Sequence, residues 1–403
     1  MNEEDFVDEF YTDKDLSLLK KLTLVIPTYN RNYYLSRCLW YHAHFPFGEI
    51  IVADSSPKEK KVVNRKTVQK IREQFGANVR YLEYEPETEK YGGDIYRKWG
   101  NAVQHVVTEY SQICTDKEFI LPITRCREIA YLDQNMECLS VESLRCWIDI
   151  TKKEKLTCLV ARDFLKSPSI NSTNPKERYT QALSETSTAV LIIYRTEIHK
   201  KIYQYLDNYE IQDIRFGEIL ISIIGYILGK SHHVNDSISL CRDVTNLNRE
   251  GRINTTESSA SRYPSIIEYN KLGVLDQFYT TYKRCLRGVF TEVLIKDDLN
   301  DIELLIKESD CLINANSENN GVASALYHFV MAHQKIKQIW MQTPSVIKQP
   351  IRVITGYDDS RWNIKNVPNE VLLIEKIIDK TMHLHMVDTD KSLFEINLEL
   401  NLY

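Results

Sequence analysis

The sequence lacks the features that mark several common protein classes. Its nine cysteines are scattered and form no CxxC pair, which argues against a disulfide framework or a zinc ribbon and favours reduced, mostly buried thiols. It contains no internal repeat and no low-complexity tract. Basic residues are not in excess, because the formal net charge is −5. No overall positive field would attract a phosphate backbone, so we expect no nucleic-acid partner.

Long apolar runs are also missing. The longest run, residues 219–228, is about half the length that spans a bilayer. The first 21 residues are acidic and polar, unlike a secretory signal. We therefore expect a cytoplasmic protein, and a peripheral association with the inner face of a membrane is compatible with this.

Strand and helix patterns alternate in the first part of the chain. Short apolar runs predict four strands, at residues 22–26, 49–53, 79–83 and 111–114. Apolar residues at helical spacing predict three intervening helices, at residues 32–44, 62–75 and 95–107. This order indicates an α/β, Rossmann-like fold whose mostly parallel sheet has right-handed crossovers and is flanked by helices. In such a sheet, ligands bind at the carboxyl ends of the strands.

The second half of the chain is predicted to hold further strands, at residues 156–163 and 189–194, and a strongly periodic helix at residues 211–229. A stretch rich in serine, threonine, asparagine and arginine follows at residues 249–264 and suggests a linker. Beyond it the patterns are mainly helical, at residues 266–289, 300–314 and 323–341. We therefore predict two units, residues 1–248 and a mainly helical carboxyl-terminal region at residues 265–403.

Polar residues follow three of the predicted strands. The first strand runs into Pro27, Thr28, Tyr29, Asn30 and Arg31. The second ends at Asp54, and the fourth leads to Asp116 and Glu118. These groups should meet at one edge of the sheet.

The segment Val25-Ile-Pro-Thr-Tyr-Asn-Arg31 resembles the inverting glycosyltransferases of the family-2 group, which have the GT-A fold. In that family, a turn of this type meets the nucleotide of a sugar donor, and the second strand ends in an acid that contacts the base, matched by Asp54. A metal-binding DxD motif is matched by Asp116-Lys117-Glu118. The resemblance covers roughly residues 20–245. The chain departs from the pattern in the lysine between the two acids and in the Ser-Ser-Pro sequence after Asp54.

The resemblance implies transfer of a sugar from a nucleotide-sugar donor to a saccharide, lipid or glycoconjugate acceptor, in surface polysaccharide biosynthesis. Mg²⁺ or Mn²⁺, which prefer oxygen ligands, would be held by Asp116 and Glu118 and would neutralise the leaving group. In an extended segment these two side chains would share one face. His233 is a candidate third ligand or, alternatively, a packing residue.

The donor would be bound by Pro27, Thr28, Tyr29, Asn30, Arg31, Asp54 and Lys98. Arg31 precedes a predicted helix, whose first amides already favour an anion, so it could hold phosphate or ribose; it could also be a solvent-exposed arginine. Lys98 lies on the helix before the acid pair and is either a phosphate contact or a surface lysine.

An inverting transfer needs a base that deprotonates the acceptor hydroxyl. In the resembled family this base is an acid well after the DxD motif, a location that Asp213 and Glu218 both match. We favour Glu218, because its helical stripe with Ser222 and Gly225 predicts a small, polar, open surface. Asp213 could instead cap the helix.

Two other functions fit parts of the sequence. A nucleotidyltransferase uses a similar sheet and metal but needs a glycine-rich phosphate loop, and residues 28–33 contain no glycine. The second alternative is a non-catalytic nucleotide-sugar-binding or assembly module, since the amine of Lys117 could replace the metal. The carboxyl-terminal region could shape the acceptor site, form a homodimer, or dock on a partner or membrane.

Overall fold

A computed structural model describes residues 11–149, 157–160, 169–184, 191–243, 264, 266–294, 306 and 373–374. These residues form one open sheet with helices on both faces. The predicted α/β fold class is confirmed.

The amino-terminal elements alternate as predicted. In chain order they are α1 (Asp13–Leu19), β1 (Leu22–Thr28), α2 (Asn32–His42), β2 (Glu49–Asp54), α3 (Lys58–Phe75), β3 (Val79–Glu83), α4 (Gly93–Gln104) and β4 (Tyr110–Ile113). Gly76 ends α3 in a left-handed conformation with φ 63°, as expected for a glycine at this position.

The later elements were only partly predicted. They are β5 (Glu118–Ile120), α5 (Pro122–Gln134), β6 (Cys138–Asp149), β7 (Thr157–Val160), α6 (Pro175–Ser184), β8 (Ile193–Arg195), α7 (Thr196–Asn208), α8 (Ile214–Leu228), β9 (Lys230–Asp243), α9 (Ile266–Lys271) and α10 (Leu275–Val293). The sequence patterns do not indicate β5 or β6.

The sheet is mixed. Its order is β3-β2-β1-β4-β8-β6-β9-β5, with β7 paired to β6. The four predicted strands β1 to β4 are parallel, whereas β8 is antiparallel to β4 and β6, and β5 is antiparallel to β9. The parallel half therefore supplies the edge at which the predicted polar residues meet.

Strand β1 is buried along its whole length, because both faces of the sheet are covered. Leu22, Leu24 and Ile26 belong to a core shared with α1, α2, α3 and α5. Val25 points to the opposite core, which includes α4, α7, α8 and α10.

Within the described residues, no helix combines the length and the apolar character needed to cross a membrane. The predicted linker falls almost entirely outside the residues that the structure describes, as do the predicted helices at 300–314 and 323–341, apart from Ile306. The division into two units stays a prediction. Helix α10, which lies in the predicted second unit, shares its core with α7 and α8.

Candidate active site at the carboxyl edge of the parallel strands

The turn after β1 is fixed by its neighbour. Parallel pairing places Thr28 beside Asp54 at the end of β2. Asn30 adopts a left-handed conformation with φ 55°, which asparagine tolerates better than most residues. Its backbone N–H donates to Ser56 Oγ at 2.8 Å. The turns after β1 and β2 are thereby joined.

Asp116 connects this turn to the segment after β4. Its Oδ2 accepts a hydrogen bond from Thr28 Oγ1 at 2.8 Å, and Arg31 forms an ion pair with Oδ1 at 3.2 Å. Asp116 is 2% exposed. The structure therefore brings together Thr28, Arg31 and Asp116, which lie far apart in the sequence.

The predicted extended conformation of the acid pair is wrong. Residues 115–118 form a turn in which the N–H of Glu118 donates to the carbonyl oxygen of Thr115 at 3.0 Å. Glu118 folds back so that its Oε2 accepts the N–H of Thr115 at 2.8 Å. Its Oε1 is buried without a hydrogen-bond partner among the described residues, and Arg242 lies 3.8 Å from it.

Lys117 does not line either cavity at this edge of the sheet. It is 5% exposed, and its ammonium lies 4.2 Å from the centroid of the Tyr34 ring. This is a cation–π geometry. Arg31 is a cation that pairs with Asp116.

Lys98 is a buried residue that joins three segments, so the surface-lysine alternative is wrong. Its Nζ contacts Glu87 Oε1 at 2.5 Å, Ser55 Oγ at 2.7 Å and the carbonyl oxygen of Thr28 at 3.3 Å. The side chains of Lys98 and Glu87 are only 5% and 6% exposed. Glu87 was not predicted as a site residue, because an acid in the polar loop before α4 gives no signal of burial.

Asp54 is fully buried. It accepts hydrogen bonds from the N–H of Ser56 at 2.7 Å, from Asn64 Nδ2 at 2.7 Å and from the Tyr81 hydroxyl at 2.5 Å. Burial, together with the charge of Asp54, raises the pKa of Tyr81. These contacts fix the turn between β2 and α3.

A pocket of about 60 Å³ lies where these groups converge. The predicted donor-binding residues Pro27, Thr28, Tyr29, Arg31 and Lys98 line it, together with Asp116. Asn30 and Asp54 are not among its lining residues; both hold the neighbouring turns in place.

The acids of this turn have the ligand chemistry that a hard divalent cation prefers. Asp116 offers a carboxylate to the pocket, whereas Glu118 is not among the lining residues. Glu118 Oε1 is a buried oxygen with no hydrogen bond among the described residues. Mg²⁺ is commonly held by one or two carboxylates, with substrate phosphates and water completing its ligands. Asp116 and Glu118 would be those carboxylates.

His233 does not join the acid pair. It lies opposite Glu142 on β6, whereas Arg242, the neighbour of Glu118, lies opposite Trp147. Those two β6 positions are five residues apart, which is roughly 16 Å along a strand. Burial lowers the pKa of His233 to about 4, and its Nδ1 is 4.0 Å from Glu142. This environment matches the alternative role of His233 as a packing residue.

Among the described residues, one other group has the composition of a metal site: Cys38, His42 and Cys114, all buried. The ring orientation of His42 opposes this role. Its Nε2 accepts the N–H of Ile120 at 3.1 Å, so Nδ1 carries the proton and donates to the carbonyl oxygen of Cys38 at 2.8 Å. A metal would find no lone pair on the nitrogen beside the thiols.

The two candidate bases lie in different environments. Asp213 is 2% exposed and caps α8, with Oδ1 accepting the N–H of Phe216 at 2.8 Å. Burial raises the pKa of Asp213 to about 6. Glu218 is half-buried, and burial raises its pKa against the opposing charges of Arg215 and Arg242.

The predicted open stripe on α8 is wrong. Ser222 is 4% exposed, and a Cβ at Gly225 would lie 3.1 Å from the Tyr194 ring. The helix is covered on this side because α7 and β8 pack against it. The charge of Arg242 nevertheless lowers the pKa of Glu218 against the effect of burial, and Arg242 lies 3.8 Å from Glu118.

No family model and no curated protein matches the chain. Among solved structures, it is similar to S. aureus TarS 1–349 in complex with UDP-GlcNAc, with 13% identity, a TM-score of 0.42 and coverage of 73% of this chain and 87% of that one. It is also similar to the mannosyltransferase PcManGT from Pyrobaculum calidifontis in complex with GDP-Man and Mn²⁺, with 14% identity, a TM-score of 0.36 and coverage of 77% and 79%. Likeness at this level transfers neither a ligand nor an activity to this chain.

Proposed function

We propose that this protein is a glycosyltransferase that takes its sugar from a nucleotide-sugar donor with the help of a divalent metal. The observation that supports this most is the convergence of Thr28, Arg31 and Asp116 on one pocket, next to the ammonium of Lys98. A carboxylate and two cations at the carboxyl edge of parallel strands suit a diphosphate and its metal ion.

Donor binding would rearrange one ion pair. Arg31 neutralises Asp116 in the structure described, and it precedes the first turn of α2. Asp116 and Glu118 would hold Mg²⁺ or Mn²⁺, which would supply positive charge to stabilise the leaving group. Arg31 is then available to form charge-assisted hydrogen bonds with the phosphates.

Glu218 is the proposed base. Its raised pKa favours proton uptake from an acceptor hydroxyl, and the charge of Arg242, which lies 3.8 Å from Glu118, acts on Glu218 as well. Asp213 is less suited, because one of its oxygens is committed to the cap of α8. An inverting outcome follows from this assignment.

The second candidate is a non-catalytic nucleotide-sugar-binding or assembly module. The Arg31–Asp116 ion pair favours it, because an arginine already occupies the charge-neutralising position of the metal. In that case nucleotide binding would not depend on a metal, and no sugar would be transferred.

The acceptor we propose is a saccharide, lipid or glycoconjugate of surface polysaccharide biosynthesis, at a cytoplasmic location. A homodimer and a peripheral membrane association remain predictions from the sequence alone.

A thermal-shift panel of UDP, GDP, CMP, dTDP and ADP, each with and without Mn²⁺, tests the proposal. Stabilisation by one nucleotide only when Mn²⁺ is present is expected, since a ligand stabilises the folded state that binds it. The Asp116→Ala variant should lose this shift. A shift of equal size without metal would favour the non-catalytic nucleotide-sugar-binding module. No shift with any nucleotide would contradict the donor site and favour an assembly module.

A further inference from the structure

A groove of about 640 Å³ runs beside the small pocket, along α4 and α7. This volume is within the range of small-molecule sites. The two cavities share Glu87 and Lys98, so the Lys98–Glu87 ion pair forms the wall between them. The diphosphate and its metal ion are assigned to the small pocket, and this groove has no assigned ligand.

The rim of the groove carries polar side chains in rows. Arg97, Asn101 and Gln104 follow one another at about one-turn spacing on α4, which spans roughly 10 Å at the rise of a helix. Gln204 and Asp207 of α7 line the same groove. All five residues are exposed. Rows of this length suit an elongated ligand with many hydrogen-bonding groups.

Three tyrosines line the groove more deeply: Tyr84, Tyr96 and Tyr203. The Tyr84 hydroxyl donates to Asn101 Oδ1 at 2.8 Å, so the amide nitrogen of Asn101 is the group that remains for a ligand. A Cβ at Gly100 would lie 3.0 Å from Tyr203, so the glycine lets this tyrosine approach α4. Aromatic rings beside planar amides provide both apolar faces and hydrogen bonds.

The charge of the lining disfavours an anion. Four carboxylates line the groove, from Glu85, Glu87, Asp94 and Asp207, against the two cations of Arg97 and Lys98. Both cations are already paired, Lys98 with Glu87 and Arg97 with Glu89. A phosphate or a carboxylate would be repelled. An uncharged ligand would not.

We propose that this groove binds an uncharged oligosaccharide, which has the elongated shape, the hydroxyl groups and the neutral charge that the lining fits. The inference that a saccharide binds is drawn from the residues that line the groove. The saccharide's role as the chain extended at, or released from, the neighbouring donor pocket rests on the proposed function.

The experiment measures saccharide binding by the full chain without nucleotide. An array of neutral and charged glycans is screened first, and chitotriose, cellotriose, maltotriose, sialyllactose, uridine and guanosine are then titrated by saturation-transfer NMR. The test variant is Asn101→Ala combined with Gln204→Ala. The matched control is Gln134→Ala, an exposed glutamine on α5, which packs on the other face of the sheet.

We expect one or more uncharged oligosaccharides to bind and the double variant to weaken this binding about tenfold, the effect of losing two ordinary hydrogen bonds. The control should bind as the parent does. The inference is overturned if no uncharged glycan binds or if its binding is unchanged in the double variant. It is also overturned if the double variant instead loses binding of a nucleoside or a charged glycan. If a saccharide binds but no nucleotide gives a thermal shift, the inference about the groove stands and the proposed function is rejected.

Discussion

Replacement of Lys98 by methionine tests the buried wall between the two cavities. The ammonium contacts Glu87, Ser55 and the carbonyl oxygen of Thr28, and the ion-paired side chains are 5% and 6% exposed. Lys98→Met leaves the Glu87 carboxylate buried without its cation. Loss of one partner of a buried pair costs about 3–5 kcal/mol, so the free energy of unfolding should fall by that amount.

Urea denaturation at pH 7 measures this loss, and Arg65→Met is the matched control. Arg65 pairs with Glu83 at 2.8 Å, but the two side chains are 49% and 40% exposed, so its removal should cost less than about 1 kcal/mol. Adding Glu87→Met to Lys98→Met should restore much of the stability, because the uncompensated charge is gone. Equal, small losses for Lys98→Met and Arg65→Met would refute the reasoning.

Three further predictions concern the acids. Asp116→Ala should abolish metal-dependent nucleotide binding measured by calorimetry, and unchanged affinity would remove Asp116 from the metal site. Glu218→Gln should leave nucleotide affinity within about twofold while reducing transfer at least a hundredfold; retained turnover would move the base to Asp213. Because burial raises the pKa of Asp213 to about 6 from 3.8, its native state holds the proton more tightly, and stability should fall as the pH rises from about 4 to 6. Asp213→Asn, whose side chain can still cap the helix, should therefore be more stable than the parent by roughly 3 kcal/mol at pH 7 and similar to it at pH 4. A constant difference across that range would contradict the assigned pKa.

The parallel half of the sheet could be predicted because its signals are local. Each strand from β1 to β4 is a short apolar run that ends in a polar turn, and the helix that follows each of the first three has its own periodicity. Parallel pairing then requires that Thr28 and Asp54 be neighbours. The convergence of Arg31 and Asp116 follows from the same topology.

The rest of the site depends on contacts that no local pattern encodes. Glu87 lies in an acidic loop whose sequence predicts exposure to solvent. It is nevertheless buried, in an ion pair with Lys98 on the next helix. The turn at residues 115–118 depends on Glu118 reaching back to a backbone N–H. Arg242 reaches Glu118 through the pairing of β9 with β5, strands that are more than a hundred residues apart in the sequence.

Release of nucleotide from a nucleotide-sugar donor tests the central claim most directly, because water can replace an unidentified acceptor. The donor matching the nucleotide chosen by the thermal-shift panel is incubated with the protein, with Mn²⁺ or with EDTA. Slow release of the nucleotide is expected when the protein and donor are incubated with Mn²⁺, but not with EDTA. This release should be lost in Asp116→Ala and Glu218→Gln. Two results would contradict a metal-dependent glycosyltransferase. One is a donor that binds tightly but never releases its nucleotide, and the other is nucleotide release that is unaffected by EDTA.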